Sequence, residues 1–107
     1  MPMSKYILYE GRYYTIELAQ TREGRCPGQD FLDNLTEAER ARILRIIQRL
    51  ADFGKITNRE QFKKIADDFY EFKNYQTRMP CYYIKNRVII ITHGFVKKRD
   101  KIDDNEL

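Results

Sequence analysis

Arg78, Lys73, Glu71, His93 and the pair Tyr82-Tyr83 fall in one stretch, FYEFKNYQTRMPCYYIKNRVIIITHGFVKKRDK, which runs from Phe69 to Lys101. Each brings a group that RNA chemistry uses. The planar fork of Arg78 can bind two phosphate oxygens at once and keeps its charge. Lys73 can stabilise a phosphorane or, with a lowered pKa, move a proton. His93 is the only histidine in the chain, and its ordinary pKa suits proton transfer near neutrality. Glu71 can serve as a base or neutralise a neighbouring cation. Adjacent strand residues point to opposite faces, so one of Tyr82 and Tyr83 can stack on a base or donate its hydroxyl while the other enters the core. Metal-independent RNA cleavage needs a base for the ribose 2′-hydroxyl, a stabiliser for the charge on phosphorus and an acid for the leaving 5′-oxygen. The last two tasks suit the cations, imidazole and phenols of this stretch. Lys73, Arg78, His93, Tyr82 and Glu71 are therefore the candidate catalytic residues.

Three apolar runs must position them. Phe69–Tyr75, Met79–Ile84 and Val88–Thr92 are short, rich in Tyr, Phe, Val and Ile, and bounded by turn residues, which predicts three strands. Lys85-Asn86-Arg87 separates the last two, and Asn86 tolerates the positive φ of a tight turn. An antiparallel meander follows. Glu71 and Lys73 are two apart and share one face, while Tyr70, Phe72 and Asn74 take the other. Tyr70 and Phe72 read as core, which puts Glu71 and Lys73 on an open side. Lys97 and Lys98 come just after and suit the flanking backbone.

Upstream, Lys5–Glu10 and Tyr13–Gln20 are β-like runs around Gly11-Arg12, read either as a hairpin or with only the second an ordered strand, and Thr21–Gly28 reads as a loop. Pro27 suits a first helical turn, and Phe31, Leu32 and Leu35 give helical spacing, which predicts a short helix over 27–34. Thr36-Glu37-Ala38-Glu39 is a capping box for a second helix ending at Phe53, before Gly54. Its apolar face holds Ile43, Leu44, Ile46, Ile47, Leu50 and Ala51, and the stripe Arg42, Arg45, Arg49 reads as a solvated face. Lys55–Asp68 reads as a linker with one helical turn capped by Asn58. Its cations Lys55, Arg59, Lys63 and Lys64 are candidates for phosphate contact, and with Tyr83, Lys97 and Lys98 they make up the candidate RNA-binding residues. The predicted class is α+β, with two helices from the N-terminal half on one face of an antiparallel sheet.

At 107 residues the chain is the size of one domain, 1–107. A net charge of +4 and a pI near 9.1 permit a polyanionic partner without establishing one. Cys26 and Cys81 follow no metal spacing and no cofactor motif is present, so neither metal nor cofactor is expected. Cys81 reads as a small core residue. No signal peptide and no apolar run of about 20 residues is visible, which predicts a cytoplasmic chain with reduced thiols and no membrane partner.

The residues Phe69-Tyr70-Glu71-Phe72-Lys73, then Gln76 and Arg78, then Ile90-Ile91-Thr92-His93-Gly94-Phe95-Val96-Lys97-Lys98 and Asp100-Lys101 resemble the HigB-type branch of the RelE/ParE toxin superfamily. These are phage-derived toxins of bacterial toxin–antitoxin pairs. Upstream, CPGQDFLDNL resembles the short-helix motif before that family's long helix. The resemblance covers about Tyr13 to Lys101. It implies a RelE-like fold, cleavage of mRNA in the ribosomal A site, and a helix-turn-helix antitoxin as partner. It places binding and cleavage on Lys73, Arg78, Tyr82 or Tyr83, His93 and Lys97. The chain departs from the pattern at Lys73, where the family commonly has Arg, and in stopping at Leu107, where the family continues a helix for which Asp103–Leu107 would be only the start. Two other functions share the resemblance or the charge: a ParE-like toxin that inhibits gyrase, and a non-catalytic nucleic-acid or partner-binding module. Arg78→Ala is expected to remove an RNase activity and leave the fold intact.

Overall fold

The computed structural model describes residues 6–98. Lys5, Asp100-Lys101 and the expected helix start at 103–107 lie outside the described residues. The elements are β1 (Tyr6–Glu10), β2 (Thr15–Leu18), α1 (Pro27–Asn34), α2 (Glu37–Phe53), β3 (Phe62–Ala66), β4 (Phe69–Asn74), β5 (Thr77–Ile84), β6 (Val88–Ile91) and β7 (Phe95–Val96). This is an α+β protein. Among the described residues no helix is long and apolar enough to cross a membrane.

One sheet takes the order β1-β2-β6-β5-β4-β3, and β7 pairs with β5 beyond the end of β6. Its pairs are antiparallel except β2 with β6, which run parallel, so the expected antiparallel sheet is a mixed one. The two helices carry the chain from β2 to the opposite edge, and the meander from β3 returns to β2 in the same direction. The parallel register sets Ile16 beside Ile89 and Leu18 beside Ile91. That match extends the apolar inner face, and no local signal in β2 reveals it.

The inner face carries Ile16, Leu18, Phe62, Phe72, Met79, Cys81, Ile89 and Ile91, all buried. Against it lie Leu32 of α1 and Ile43, Ile46, Ile47, Leu50 and Ala51 of α2. The two helices thus share one side, and the other side of the sheet is left without a helix among the described residues. Burying each large aliphatic side chain contributes about 1.5–3 kcal/mol, so this one-sided core dominates the fold's stability.

β3 is a strand where the sequence predicts a linker. Asn58 does cap a turn, its Oδ1 accepting from the Glu60 N–H at 2.8 Å. Beyond it Phe62 enters the core and pairs with Phe72. The lysines that make this segment read as linker belong to an edge strand, where cations and a bulge between Lys64 and Ala66 discourage pairing with another chain.

The helix ends are anchored. Thr36 Oγ1 accepts from the Glu39 N–H at 3.1 Å, and the Glu39 carboxylate accepts from the Thr36 N–H at 3.0 Å. These bonds hold the Glu39 carboxyl below its ordinary pKa. The Arg40 guanidinium donates to the carbonyls of Leu32 at 2.8 Å and Leu35 at 2.9 Å, closing the end of α1. At the far end of α2 the Ala51 carbonyl accepts from the N–H groups of Tyr13 at 2.8 Å and Tyr14 at 3.0 Å. Gly11 makes this docking possible, because a Cβ there would sit 2.5 Å from Ala51 backbone and side-chain atoms.

Gly11→Ala is therefore expected to cost about 1–3 kcal/mol by overpacking, read as a lower denaturant midpoint. The Glu39 contribution has a defined pH sign. A lowered folded-state pKa stabilises above the ordinary carboxylate range and is lost as pH falls through the lowered value. The stability difference between wild type and Glu39→Gln should shrink steadily on acidification below about pH 5. A constant difference would remove the capping carboxylate from the account.

Candidate active site

The open face is laid out by strand register. Lys73 pairs with Arg78 across β4 and β5, Glu71 with Pro80, and Phe69 with Tyr82. On the other side of β4, Lys63 pairs with Glu71, and the Lys73 N–H donates to the Gln61 carbonyl at 2.8 Å. On the other side of β5, Phe95 pairs with Arg78 and Ile90 with Tyr82. Directly paired residues share a face, so Lys63, Glu71, Lys73, Arg78, Tyr82 and Phe95 all lie opposite the helices.

Two cations facing each other across a ladder destabilise the pair. Here Lys73 and Arg78 do so, and a diagonal carboxylate offsets the repulsion. Glu71 Oε1 lies 3.6 Å from Arg78 Nε, with side-chain exposures of 16% and 11%. Arg78 Nη1 also donates to the Tyr75 carbonyl and to the Thr77 carbonyl, the latter at 3.1 Å. Arg78 is thus a pinned cation, nearly covered, that closes the β4–β5 turn. Lys73 is freer, its Nζ reaching the Arg59 carbonyl at 3.4 Å.

A bulge brings His93 to this face. From Cys81 to Arg78 β5 advances three residues, while its partners advance four, from Ile91 to Phe95. The extra residue falls at His93-Gly94, a β-bulge, a feature that re-aims side chains near sites. Pro80 fits the same place. Its carbonyl accepts from the Thr92 N–H at 3.1 Å, so its backbone edge, with no N–H to offer, faces the interrupted ladder. Gly94 has no Cβ to collide with the Phe31 ring, which lies against it from α1. His93 turns outward and stacks on Phe95, ring centroids 5.9 Å apart, with its Nδ1 2.9 Å from the Thr92 hydroxyl oxygen. Among the described residues Nε2 has no partner.

Tyr82 is 41% exposed and stacks on Phe69 at 4.7 Å. It stands four residues from Arg78 along β5, about 13 Å away. Tyr83, expected at the interface, is on the inner face between Tyr14 and Tyr70, at 5.4 and 4.8 Å. Burial, and then the neighbouring Tyr14, push its phenol well above the usual range. Burial does the same to the Cys81 thiol, with the Glu71 charge second. Neither is a group for proton transfer or attack at neutral pH.

Of the expected phosphate-binding cations, Lys63 lies on the open face, and Arg59 lies beside Lys73 through its carbonyl. Lys97 extends the Phe95 side, its N–H donating to the Gln76 carbonyl at 2.7 Å, and it and Lys98 are exposed. Lys64 pairs with Tyr70 and so faces the helix side. It lies 3.9 Å from Asp67 in a solvent-exposed pair that stabilises little. Lys55 lines a groove with Arg49, Phe53, Asn58 and Gln61, along the connection between α2 and β3. Phe95 and Phe69 were missed by reading the sequence for charge. The signal for Phe95 was its place two residues after His93.

Fold and face together define a small α+β protein with a cationic, ring-bearing sheet surface. A family model described as Phage derived protein Gp49-like (DUF891) matches residues 30–107, most of the chain. The chain belongs to this Gp49-like phage-derived family, a family of toxin–antitoxin toxins, and membership implies an antitoxin partner. No curated protein matches the chain.

The contacts of Arg78 revise the expectation that Arg78→Ala leaves the fold intact. Removing one partner of a nearly covered pair should cost about 3 kcal/mol, whereas Lys73→Ala should stay within about 1 kcal/mol. Arg78→Ala combined with Glu71→Ala should recover part of the loss, as an unpaired carboxylate is no longer left behind. Denaturation of the three variants checks this, and equal losses for Arg78→Ala and Lys73→Ala would contradict it.

Proposed function

We propose that the open face is the active site of an endoribonuclease toxin with a RelE-like fold. In this reading it acts in the cytoplasm, cuts mRNA in the ribosomal A site and is silenced by a helix-turn-helix antitoxin. The observation that carries the reading is the facing pair Lys73–Arg78. A sheet built only to fold would not set like charges opposite each other, and a bound phosphate turns that cost into attraction.

The roles follow from exposure. Lys73, the freer cation, stabilises the charge that develops on phosphorus. Arg78 adds a fixed positive charge that needs no reorganisation when the substrate arrives. His93 moves a proton through Nε2, and Glu71 keeps Arg78 in place. The Tyr82 ring, backed by Phe69, takes a base. Lys63, Lys97, Lys98 and the nearby Arg59 hold the flanking backbone.

A second reading is favoured by one observation, the bonding of Arg78 to its own turn. If Arg78 serves only the fold, the face binds RNA without cutting it.

Inducible expression with RNA sequencing tests the proposal. Wild type should arrest growth and leave codon-phased cuts, and translating ribosomes should be required in vitro. Lys73→Ala and His93→Ala should each lower cleavage by about 100-fold or more while the proteins stay folded. Intact mRNA with tight, salt-sensitive RNA binding would select the binding-only reading. Harmless His93→Ala together with inhibited gyrase supercoiling would select a gyrase-directed toxin.

A further inference from the structure

A recess of about 440 Å³ opens beside the Lys73–Arg78 pair, where the end of β4 meets α2. That volume lies within the range of small-ligand sites. Arg42 of α2, Asn58 and Gln61 of the α2–β3 connection, and Lys73, Asn74 and Tyr75 line it. Lys73 belongs to both places, so a strand whose phosphate lies over Lys73 has a neighbouring nucleotide within reach of the recess.

The lining is matched to a flat, polar-edged group. Asn58 Oδ1 accepts from the Glu60 N–H at 2.8 Å, and Gln61 Oε1 accepts from Arg49 Nη1 at 3.3 Å. Among the described residues neither NH₂ group has a partner, so both amides keep donors for a ligand. Asn74 adds a third amide, and Glu60, also in the lining, adds an acceptor. That carboxylate can accept from N–H donors on a base edge, beside the cations Arg42 and Lys73.

Tyr75 forms the rim. It is 81% exposed and has φ +57°, a backbone conformation costly for a bulky side chain. Its carbonyl is held by Arg78, the pinned cation of the neighbouring site. A turn that needed only to reverse the chain would be better served by Gly or Asn.

We propose that this recess is a base-recognition subsite, in which the nucleobase next to the phosphate at Lys73 stacks on Tyr75 and is read by the amides of Asn58, Gln61 and Asn74 and by the carboxylate of Glu60. The proposal rests on the reading that the open face takes RNA, and it adds a reason for sequence preference.

Side-chain NH₂ resonances of the ¹⁵N-labelled full chain test it without requiring cleavage. AMP, GMP, CMP and UMP (each the 5′-monophosphate) and ribose 5-phosphate are titrated separately. The amides of Asn58, Gln61 and Asn74 should respond to nucleotides with unequal affinity, about tenfold between best and worst, and not to ribose 5-phosphate. Gln29 and Asn34, on α1, serve as internal controls. Tyr75→Asn, which suits the turn, should weaken the best nucleotide by about tenfold, and Tyr75→Phe should retain it. No response, equal responses to all four bases, or the same response to ribose 5-phosphate would each overturn the subsite. Base discrimination in a chain that cuts no RNA would leave the subsite standing and remove the cleavage reading. RNA cutting with amides indifferent to the bases would do the reverse.

Discussion

The guanidinium of Arg78 closes the β4–β5 hairpin over its own turn, and the open face is arranged around that closure. One nitrogen holds the carbonyls of Tyr75 and Thr77, another faces Glu71. The consequences run in three directions. The turn is fixed with Tyr75 in a left-handed conformation at its rim. Glu71 is drawn diagonally across the ladder, which relieves the repulsion between Arg78 and Lys73. Phe95, the partner of Arg78 on the other side, is set beside the same charge. A cation used this way gains permanence and loses mobility. Its field is present before any ligand arrives, the condition under which electrostatic stabilisation of a transition state is most effective.

The one-sided core makes such a face available. Alternation along each strand sends Phe72, Met79, Cys81 and Ile91 towards the helices and leaves the intervening residues outside. Inner-face packing and outer-face chemistry are therefore coupled through the backbone. The bulge at His93-Gly94 shows the coupling most directly. Phe31 of α1 lies against Gly94 from the inner side, and the extra residue this bulge inserts turns His93 to the outer side. Pro80 places its missing donor at the same break. A helix residue, a glycine and a proline thus cooperate to orient one imidazole.

Reading the sequence recovered the elements whose signals are local. The capping box of α2, the proline start of α1 and the period-two alternation that set Glu71 and Lys73 apart from Phe72 all stand in the structure. Non-local pairing was hidden. β3 has the composition of a linker, and only the burial of Phe62 against Phe72 makes it a strand. The parallel union of β2 and β6 depends on apolar registry between distant segments. The choice between Tyr82 and Tyr83 could be posed from sequence but not resolved, since parity needs a reference face, and here the reference is the pairing of Tyr82 with Phe69. The bulge was beyond reach because it is a difference between two registers.

Glu71 carries the remaining tension. In the free protein it is the anion that Arg78 has, and it offsets a like-charge pair that would otherwise weaken the sheet. A phosphate arriving over Lys73 and Arg78 meets a cation already partly neutralised. The same carboxylate therefore lowers affinity for an anionic ligand and secures the geometry that receives it. Under the proposed function, this balance suits a site that binds a message, acts and lets go. A bare pair of cations would hold a phosphate more tightly, but it would stand in a less stable hairpin with nothing to fix the fork of Arg78. Lys at residue 73, where the resemblance implies Arg, fits this division of labour. One cation is a rigid fork tied into the fold, and the other is a compact, more mobile charge that, under the proposed function, follows the reacting phosphate.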